Sequence, residues 1–319
     1  MEFKILIIVI VVCLVVLILG SIYFFWFSFI RQKPKYQGDY ETECRGIYQP
    51  FKEEMLKGKE WIHNHRDDRI TITSRDGLKL VGFYIPAPNV SNNTILMMHG
   101  YRSDSYGDFC YLAQFFHENG YNLLIPHQRC HGESEGKYIG FGVLERHDCK
   151  QWIMYLNDRF GVNQNLYLAG VSMGCSTVLM TLGLDLPNNI KAVIADCGFT
   201  SPFDIFRHVL KRNFRLPVFP VVYIENFLCK HIVGYEFKEC STIEILKENE
   251  IPVLFIHGEE DDFVPTFMGR ENYEACKSKK ELLIVEGAGH ATASMQEPQK
   301  YRDTALRFLK EAELLSFER

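Results

Sequence analysis

The sequence has no surplus of basic residues, no closely spaced cysteine pair and no internal repeat. Lys and Arg total 35 against 40 Asp and Glu, so the formal net charge is −5. This argues against nucleic-acid binding as the main function, because that function needs a basic face. The 10 cysteines include no Cys-x-x-Cys pair, which argues against a zinc motif and against a compact disulfide scaffold. With 23 glycines and 12 prolines, the composition also excludes a collagenous or mainly disordered chain.

Charge is absent from the long apolar run Ile5–Ile30, which only Gly20, Ser21 and Ser28 interrupt. As a helix this run would measure about 39 Å, enough to cross a hydrocarbon core of about 30 Å. It is too long for the apolar region of a signal peptide, and it ends in the bulky Tyr23–Phe27. Aromatic residues there suit a membrane–water interface. We expect an uncleaved single-pass anchor, with a cleaved signal peptide as the alternative.

The charges beside this run predict its orientation. Lys4 precedes it, whereas three basic residues follow it, namely Arg31, Lys33 and Lys35. The positive-inside rule therefore places the rest of the chain on the cytoplasmic side. Unpaired cysteines, which are easier to keep in a reducing compartment, point the same way. Glycosylation sequons at Asn89 and Asn92 point to a secretory lumen instead, although such triplets often arise by chance.

The chain divides into three parts by composition. We expect residues 1–35 to form the anchor and its basic flank, residues 36–68 a juxtamembrane stalk, and residues 69–319 one α/β domain. Within the stalk, Pro50–His63 has the apolar spacing of one amphipathic helix. This favours a stalk that packs against the domain.

Strand and helix patterns alternate after the stalk. The sequence predicts strands at Arg69–Ser74, Leu78–Ile85, Thr94–Met98, Tyr121–Ile125, Asn165–Ala169, Ile190–Ala195, Pro252–Ile256 and Glu281–Val285. It predicts helices at Phe109–Glu118, Leu144–Phe160, Ser172–Leu184, Thr266–Ser278 and Glu297–Leu315. The Asp76-Gly77 turn makes the first two strands an antiparallel hairpin. The remaining alternation predicts a mainly parallel sheet with helices on both faces.

One segment interrupts this alternation. Residues 198–245 lie between two predicted strands and are rich in bulky apolar side chains, among them Phe203, Phe206, Phe219 and Phe227. A long segment between strands of a compact domain is usually functional or has helices of its own. We interpret it as a small helical lid, with at least half of its aromatic residues forming the core of the lid itself.

The strongest chemical signal is the pentapeptide Gly170-Val171-Ser172-Met173-Gly174, between a predicted buried strand and a predicted helix. This is the context of a G-x-S-x-G nucleophile elbow, a sharp strand-to-helix turn that exposes a reactive serine hydroxyl. The flanking glycines let neighbouring strands and helices approach the turn. The sequence therefore predicts Ser172 as a nucleophile.

A nucleophilic serine needs a base and an acid that orients the base. His290 follows the last predicted strand, and a run of acidic residues follows the strand before it. The residue types leave the acid open among four candidates: Glu259, Glu260, Asp261 and Asp262. His257 precedes the same turn and is expected to hold that loop.

An oxyanion hole needs two backbone N–H donors. We expect one from Met173, the residue after the nucleophile. The second is expected from Tyr101, because the strand Thr94–Met98 leads directly into His99-Gly100-Tyr101. An ordinary strand-end turn is the alternative interpretation of His99-Gly100.

Together these motifs resemble the serine α/β-hydrolase superfamily, in order and at fitting spacing, from about Ile70 to the carboxyl terminus. They are His99-Gly100-Tyr101, Arg129-Cys130-His131-Gly132-Glu133-Ser134, the elbow, Asp261-Asp262-Phe263-Val264-Pro265 and Gly289-His290. More narrowly, the chain resembles membrane-anchored bacterial α/β-hydrolases grouped with serine aminopeptidase-like and Bem46-like proteins. The resemblance implies the α/β-hydrolase fold, a lid after the sixth strand and Asp261 as the acid. His127 departs from the pattern, which usually has Asp there.

The resemblance implies an acyl-enzyme mechanism with Ser172, His290 and Asp261 and without a cofactor or metal. Because the lid is apolar and the chain has an anchor, we expect a small or lipid-like carboxylic ester or thioester as substrate. A serine aminopeptidase-like peptidase and a non-catalytic, membrane-tethered binding module are the alternatives. Expected partners are this substrate and, through the N-terminal helix, the membrane, with no nucleic acid. The oligomeric state stays open.

Overall fold

An eight-stranded sheet organises the part of the chain that carries the predicted motifs. The computed structural model describes residues 2–31, 46–66, 68–103 and 105–315. The strands are β1 (Asp68–Thr73), β2 (Lys79–Ile85), β3 (Asn93–Met98), β4 (Asn122–Pro126), β5 (Asn165–Val171), β6 (Ile190–Asp196), β7 (Val253–Gly258) and β8 (Lys280–Val285). Their spatial order is β1-β2-β4-β3-β5-β6-β7-β8. β2 pairs antiparallel with β1 and β4, and all other pairs are parallel, which confirms the predicted α/β fold.

The described residues also form α-helices, some of which cover the two faces of this sheet. They are α1 (Glu2–Phe29), α2 (Lys52–His65), α3 (Ser105–Phe109), α4 (Ala113–Glu118), α5 (Glu145–Phe160), α6 (Met173–Thr181), α7 (Pro202–Asn213), α8 (Val218–Leu228), α9 (Thr242–Leu246), α10 (Thr266–Ala275), α11 (Ala293–Gln296) and α12 (Pro298–Leu315). Gly46–Phe51 forms a 3-10 helix and Cys229–Val233 a π-helical turn. The predicted helix Phe109–Glu118 ends where α4 ends, but α4 begins only at Ala113, and Phe109 is the last residue of a separate short helix, α3.

The core follows from the two-residue period of the strands. In β3, Ile95 and Met97 face one side of the sheet while Leu96 and Met98 face the other, and all four are buried. One face is covered by α2, α3, α4 and α12, and the other mainly by α5 and α6 around the fully buried Trp152. Burial on both faces explains why the central strands are nearly continuous apolar runs.

The described part of the predicted stalk packs against the domain. Met55, Gly58, Lys59 and Ile62 of α2 are buried. A Cβ atom at Gly58 would lie 2.0 Å from the carbonyl oxygen of Cys110, so the two backbones approach closely here. Residues 36–45 and Asp67 of the predicted stalk lie outside the described residues.

The predicted lid segment contains α7, α8, the π-helical turn and α9, all between β6 and β7. Its aromatic residues divide into two sets. Tyr235 and Phe237 are buried in a cluster with Phe199 and Met173, whereas Phe219 and Phe227 are exposed. The lid therefore has an inner apolar core and an outer apolar surface.

The N-terminal helix α1 is long and apolar enough to cross a membrane. Its first half is exposed, but Ser21, Phe25 and Phe29 are buried against the rest of the protein. The Phe29 ring stacks on Phe206 and Phe237, with ring centroids 5.4 and 5.8 Å apart. The aromatic end of the run, predicted to lie at a membrane interface, is thus partly packed into the domain, because spacing of four residues places one side chain per turn on the same helix face.

Candidate active site

Ser172 lies on the sharp turn between β5 and α6. Its backbone has φ 55° and ψ −118°, a strained conformation for a residue with a side chain. The neighbouring glycines are required by close backbone contacts. A Cβ atom at Gly174 would lie 1.9 Å from the carbonyl oxygen of Met98, and one at Gly170 would lie 2.3 Å from that of Gly174. The turn therefore has the geometry of a nucleophile elbow.

The structure brings Ser172, His290 and Asp261 into one chain of hydrogen bonds. The Oγ atom of Ser172 lies 2.9 Å from Nε2 of His290, and Nδ1 of His290 lies 2.7 Å from Oδ2 of Asp261. In the tautomer with a proton on Nδ1, His290 donates to Asp261 and accepts from the serine hydroxyl. This is the arrangement in which an imidazole can take a proton from a serine.

The four candidate acids differ in burial and in their hydrogen-bond partners. The Asp261 side chain is fully buried, and its Oδ1 accepts N–H groups of Phe263 and Val264 at 3.0 and 2.9 Å. Glu259 and Glu260 are exposed, and Asp262 pairs with Arg212. The structure therefore brings only Asp261 of these four into contact with His290.

Asp261 is held ionised by two imidazoles. Burial alone would raise its pKa, but hydrogen bonds from His257 and His290 outweigh burial and lower the pKa to about 2. The Nε2 atom of His257 lies 3.3 Å from Oδ2 of Asp261 and 2.8 Å from the carbonyl oxygen of Val264. His257 thus holds the acid loop, as its position beside the turn indicated.

The two expected oxyanion donors lie on either side of the serine. Met173 begins α6, where the first N–H groups of a helix have no partner within the helix. A Cβ atom at Gly100 would lie 3.2 Å from Cβ of Ser172, so the loop that carries Tyr101 is adjacent to the nucleophile. The N–H of Gly100 donates to Asp108 and that of Arg102 to Nε2 of His131, at 2.5 and 2.9 Å. These bonds fix the backbone on both sides of Tyr101.

The segment Arg129–Ser134 supports this loop. Burial lowers the pKa of His131 to about 4, so its neutral ring can accept the N–H of Arg102. Arg129 pairs with the buried Asp148 at 2.6 Å. At the position where the related pattern has Asp, Nδ1 of His127 accepts the N–H of Glu133 at 3.1 Å. The histidine therefore supplies a local acceptor for the turn.

Sequence reasoning missed two residues beside the site, Tyr48 and Asp196. The hydroxyl of Tyr48 donates to the carbonyl oxygen of His290 at 3.3 Å. Burial and the carboxylate of Asp108 raise the pKa of Tyr48, which keeps it a donor. Asp196 ends β6, and its carbonyl oxygen accepts the N–H of Ser172 at 2.9 Å. The sequence could have indicated Asp196, because it is a polar residue at the carboxyl end of the strand that follows the elbow strand.

A cavity of about 790 Å³ opens beside His290. Tyr48 and Phe51 line it from the 3-10 helix, Arg212 from the lid, and Glu260 and Phe263 from the acid loop. Its walls are therefore mixed, with aromatic side chains and a few charged groups. Such a mixture is typical of small-molecule sites.

One group of potential metal ligands overlaps the site within the described residues. Donor atoms of Cys197, Asp261 and His290 all lie within 4.8 Å of one another. The Nδ1 atom of His290 and Oδ2 of Asp261 are already paired with each other at 2.7 Å. Burial raises the pKa of Cys197 well above its usual value, which disfavours the thiolate that binds metal. The donor set therefore fits a Ser–His–Asp arrangement better than a metal centre.

Asp196 makes the stability of the fold depend on pH. Burial raises its pKa from 3.8 to about 6, so the protonated carboxyl stabilises the fold at low pH and this contribution is lost as the pH rises through 6. Between about pH 4 and pH 8, the free energy of unfolding of the wild type should fall by on the order of 3 kcal/mol relative to Asp196→Asn. Denaturant unfolding of both proteins across this range measures the difference.

The matched control is Asp185→Asn, which changes an exposed carboxyl group. Its difference from the wild type should stay nearly constant with pH. A constant difference for Asp196→Asn as well would contradict the prediction.

Similarities to known proteins indicate the family and the fold of this chain. The sequence profile of the prolyl oligopeptidase family, Peptidase_S9, matches residues 108–313. An uncharacterised protein of Bacillus subtilis, YqkD, is 31% identical over 238 residues, which cover 75% of this chain and 77% of that protein. An uncharacterised membrane protein of Saccharomyces cerevisiae is 27% identical over 221 residues, or 68% of this chain and 70% of that protein.

Among solved structures, an esterase from Pyrococcus furiosus is similar to this chain with a TM-score of 0.63 and 25% sequence identity. The match covers 76% of this chain and 90% of the esterase. The family profile spans the elbow, the acid loop and the histidine loop, and the solved structure shares the sheet that presents them. The chain therefore belongs to the prolyl oligopeptidase family and is a serine hydrolase with the α/β-hydrolase fold.

Proposed function

We propose that this hydrolase cleaves carboxylic esters or thioesters with an acyl or lipid-like part, through an acyl-enzyme on Ser172. The observation that carries the proposal is the continuous hydrogen-bond chain from Ser172 through His290 to Asp261, at 2.9 and 2.7 Å. In this proposal Ser172 is the nucleophile, His290 the general base and then the general acid, and Asp261 the group that orients His290.

The first step forms the acyl-enzyme. The Oγ atom of Ser172 attacks the substrate carbonyl carbon while its proton passes to Nε2 of His290. The ionised Asp261 stabilises the imidazolium that results, and its pKa near 2 keeps it charged at any working pH. The imidazolium then protonates the leaving alcohol or thiol, and water, deprotonated by His290, releases the acid.

The tetrahedral intermediates carry a negative oxygen that needs donors. The N–H groups of Met173 and Tyr101 are the proposed pair, since both belong to backbone next to Ser172. Removing one such donor from a serine hydrolase costs about a hundredfold to a thousandfold in rate.

Three features support an acyl or lipid-like substrate. The aromatic core of the lid packs in one cluster with Met173 of the elbow, so an apolar surface lies against the elbow. The cavity beside His290 is partly aromatic. The N-terminal helix is apolar enough to place the enzyme at a membrane. The similar Pyrococcus furiosus protein is called an esterase, which favours ester over peptide hydrolysis.

A peptidase is the second candidate. The name of the family favours it, and Glu260 lines the cavity beside His290, where a carboxylate can hold a substrate amine. An aminopeptidase would depend on this carboxylate, whereas hydrolysis of a neutral ester would not.

Covalent labelling tests the assignment of Ser172. A fluorophosphonate probe should label the wild type, because the hydrogen bond to His290 activates the hydroxyl, and Ser172→Ala should not be labelled. Ser241→Ala, which changes a serine in the lid, is the matched control and should be labelled normally. Gel fluorescence measures the labelling. An unlabelled but folded wild type would favour the remaining alternative, a binding module that does not catalyse hydrolysis.

A substrate panel tests the bond that is cleaved. We expect p-nitrophenyl esters and acyl thioesters to be hydrolysed, with kcat/KM rising about tenfold or more from a two-carbon to an eight-carbon acyl chain, as each buried methylene favours binding. Aminoacyl amides should be poor substrates. Faster cleavage of the amides, lost in Glu260→Gln but retained for esters, would establish the peptidase instead.

For the location, the proposal is a single-pass anchor with the catalytic domain on the cytoplasmic side. Arg31, Lys33 and Lys35 follow the apolar run. The eight cysteines whose side chains the structure describes are buried and form no disulfide bonds, as is usual for proteins of a reducing compartment.

Proteolysis tests this orientation. In inside-out membrane vesicles the domain should be digested by an added protease, because it faces the medium there. In intact spheroplasts it should be protected until detergent is added. Immunoblotting of a carboxyl-terminal tag measures both. Protection in the inside-out vesicles would place the domain on the other side.

A further inference from the structure

An exposed apolar surface covers the outside of the lid. We call it the lid face and define it by five exposed side chains: Phe214, Leu216, Phe219, Tyr223 and Phe227. Phe219 is 72% exposed and Phe227 60%. On α8, Tyr223 and Phe227 are four residues apart and share one helix face. Phe219 precedes this regular part of the helix with a non-helical ψ of 132°, and its ring packs against that of Tyr223 at a centroid distance of 5.6 Å. Large contiguous apolar surfaces on a protein usually mark an interface.

The opposite side of α8 faces the interior of the protein. Val221 and Val222 are buried there, together with Glu225. Burial raises the pKa of Glu225 to about 8, so its neutral form is favoured. The single acidic residue of α8 thus points away from the lid face, and the exposed side of the helix carries no ionisable group except the phenol of Tyr223.

The length of α1 locates the lid face relative to a membrane. After Lys4, every described side chain from Ile5 to Val16 is exposed, and this part measures only about 18 Å. A hydrocarbon core of about 30 Å needs about 20 helical residues, which extend from Ile5 to Phe24. The hydrocarbon layer must therefore reach the part of α1 that already packs against the lid.

The contacts between α1 and the lid lie at that depth. The rings of Phe24 and Phe214 are 4.4 Å apart, centroid to centroid, and Ser21 is buried. Val221 and Val222 of α8 pack in the same cluster as Phe25. Because Phe214 begins the lid face and touches Phe24, the lid face continues the apolar surface of α1 sideways.

Basic residues border this surface. Lys211, Arg212 and Arg215 precede α8, and Lys230 follows it. Lys211 and Arg215 are exposed. An apolar helix face between Lys and Arg residues is typical of segments that lie in the interface of a bilayer with anionic lipids.

We propose that the lid face lies in the interfacial layer of the same bilayer that α1 enters, with anionic headgroups around its basic border. A lipid bilayer is the occupant because the surface is continuous with the membrane-crossing helix and carries the complementary charge. The catalytic domain is then seated on the membrane rather than suspended from it.

This seating also has a consequence for substrate entry, which rests on the proposed function. Helix α7 joins the lid face to the acid loop, since Nε2 of His208 lies 3.0 Å from the carbonyl oxygen of Asp262, and Arg212 pairs with the carboxylate of Asp262. Arg212 also lines the cavity beside His290. The cavity therefore opens next to the membrane surface, where an ester carried in the bilayer reaches it without crossing bulk water.

Photolabelling tests the seating without relying on catalysis. The full-length chain is reconstituted in vesicles of phosphatidylcholine and phosphatidylglycerol that contain a phospholipid with a diazirine near the ester end of one acyl chain. After irradiation, tryptic peptides are mapped by mass spectrometry. We expect lipid adducts on α1 and on the peptide Leu216–Lys230, which carries most of the lid face.

Adducts on α1 alone would overturn the proposal. So would cross-links between Leu216–Lys230 peptides of two chains without lipid adducts, because a second copy would then cover the lid face. Adducts on Leu216–Lys230 support the seating even if the protein hydrolyses none of the substrates, so failure of the proposed function and failure of this inference remain distinguishable.

Two matched double variants test whether the lipid adducts depend on the lid face or on exposed apolar residues in general. Phe219→Asp with Phe227→Asp introduces two charges into the lid face and should reduce the adducts on Leu216–Lys230 about tenfold, since burial of each ring is lost. Val90→Asp with Val162→Asp changes two exposed apolar residues in the loops before β3 and β5, at the strand ends opposite the elbow, and should leave the adducts unchanged.

The same variants test substrate entry. For the lid-face variant, the ratio of kcat/KM on a vesicle-borne ester to kcat/KM on a water-soluble ester should fall about tenfold, mainly through KM. The control variant should keep the wild-type ratio. An unchanged ratio in the lid-face variant, with fluorophosphonate labelling intact to show that it folds, would refute membrane entry.

Discussion

The close approach of three backbone segments around Ser172 is the constraint on which the candidate site depends. β3, β5 and the first turn of α6 meet where Gly170 and Gly174 leave no room for a Cβ atom. This contact holds Ser172 at a positive φ directly before Met173, the first residue of α6. The sheet on one side and α6 on the other hold this strained turn in place.

The second requirement is a carboxylate that stays charged although it is buried. Asp261 meets it with two backbone donors and two imidazoles. His257 is part of this arrangement, since it approaches the carboxylate and holds the acid loop through Val264. The neighbouring Asp196 shows the opposite outcome, because burial there exceeds the compensating interactions and raises the pKa to about 6. The same residue type thus has two widely different pKa values within one site, according to its hydrogen bonds.

The N-terminal helix is both an apolar segment and a part of the domain. Phe25 and Phe29 are as completely buried as the residues of the sheet core. Two further contacts continue this attachment, since Arg31 donates to the carbonyl oxygen of Gly132 at 2.7 Å and its N–H to that of Lys137 at 2.9 Å. The contact with Gly132 joins the helix to the segment that supports the loop carrying Tyr101. On the proposal of membrane seating, the position of the site relative to the bilayer is therefore set by side-chain packing.

Local patterns in the sequence predicted the strands, their mainly parallel arrangement, the lid and the candidate residues Ser172 and His290, because strand period, turn chemistry and the elbow depend on residues near each other in the chain. They left four acids open, joined the end of α3 and α4 into one helix and missed Tyr48 and Asp196. Those features depend on which distant segments meet: the 3-10 helix reaches the His290 loop, α2 crosses the backbone at Cys110, and β6 ends beside the elbow. The sequence likewise showed that α1 is apolar, but only packing against the lid decided which of its turns remain free for a membrane, because burial is a property of the assembled fold.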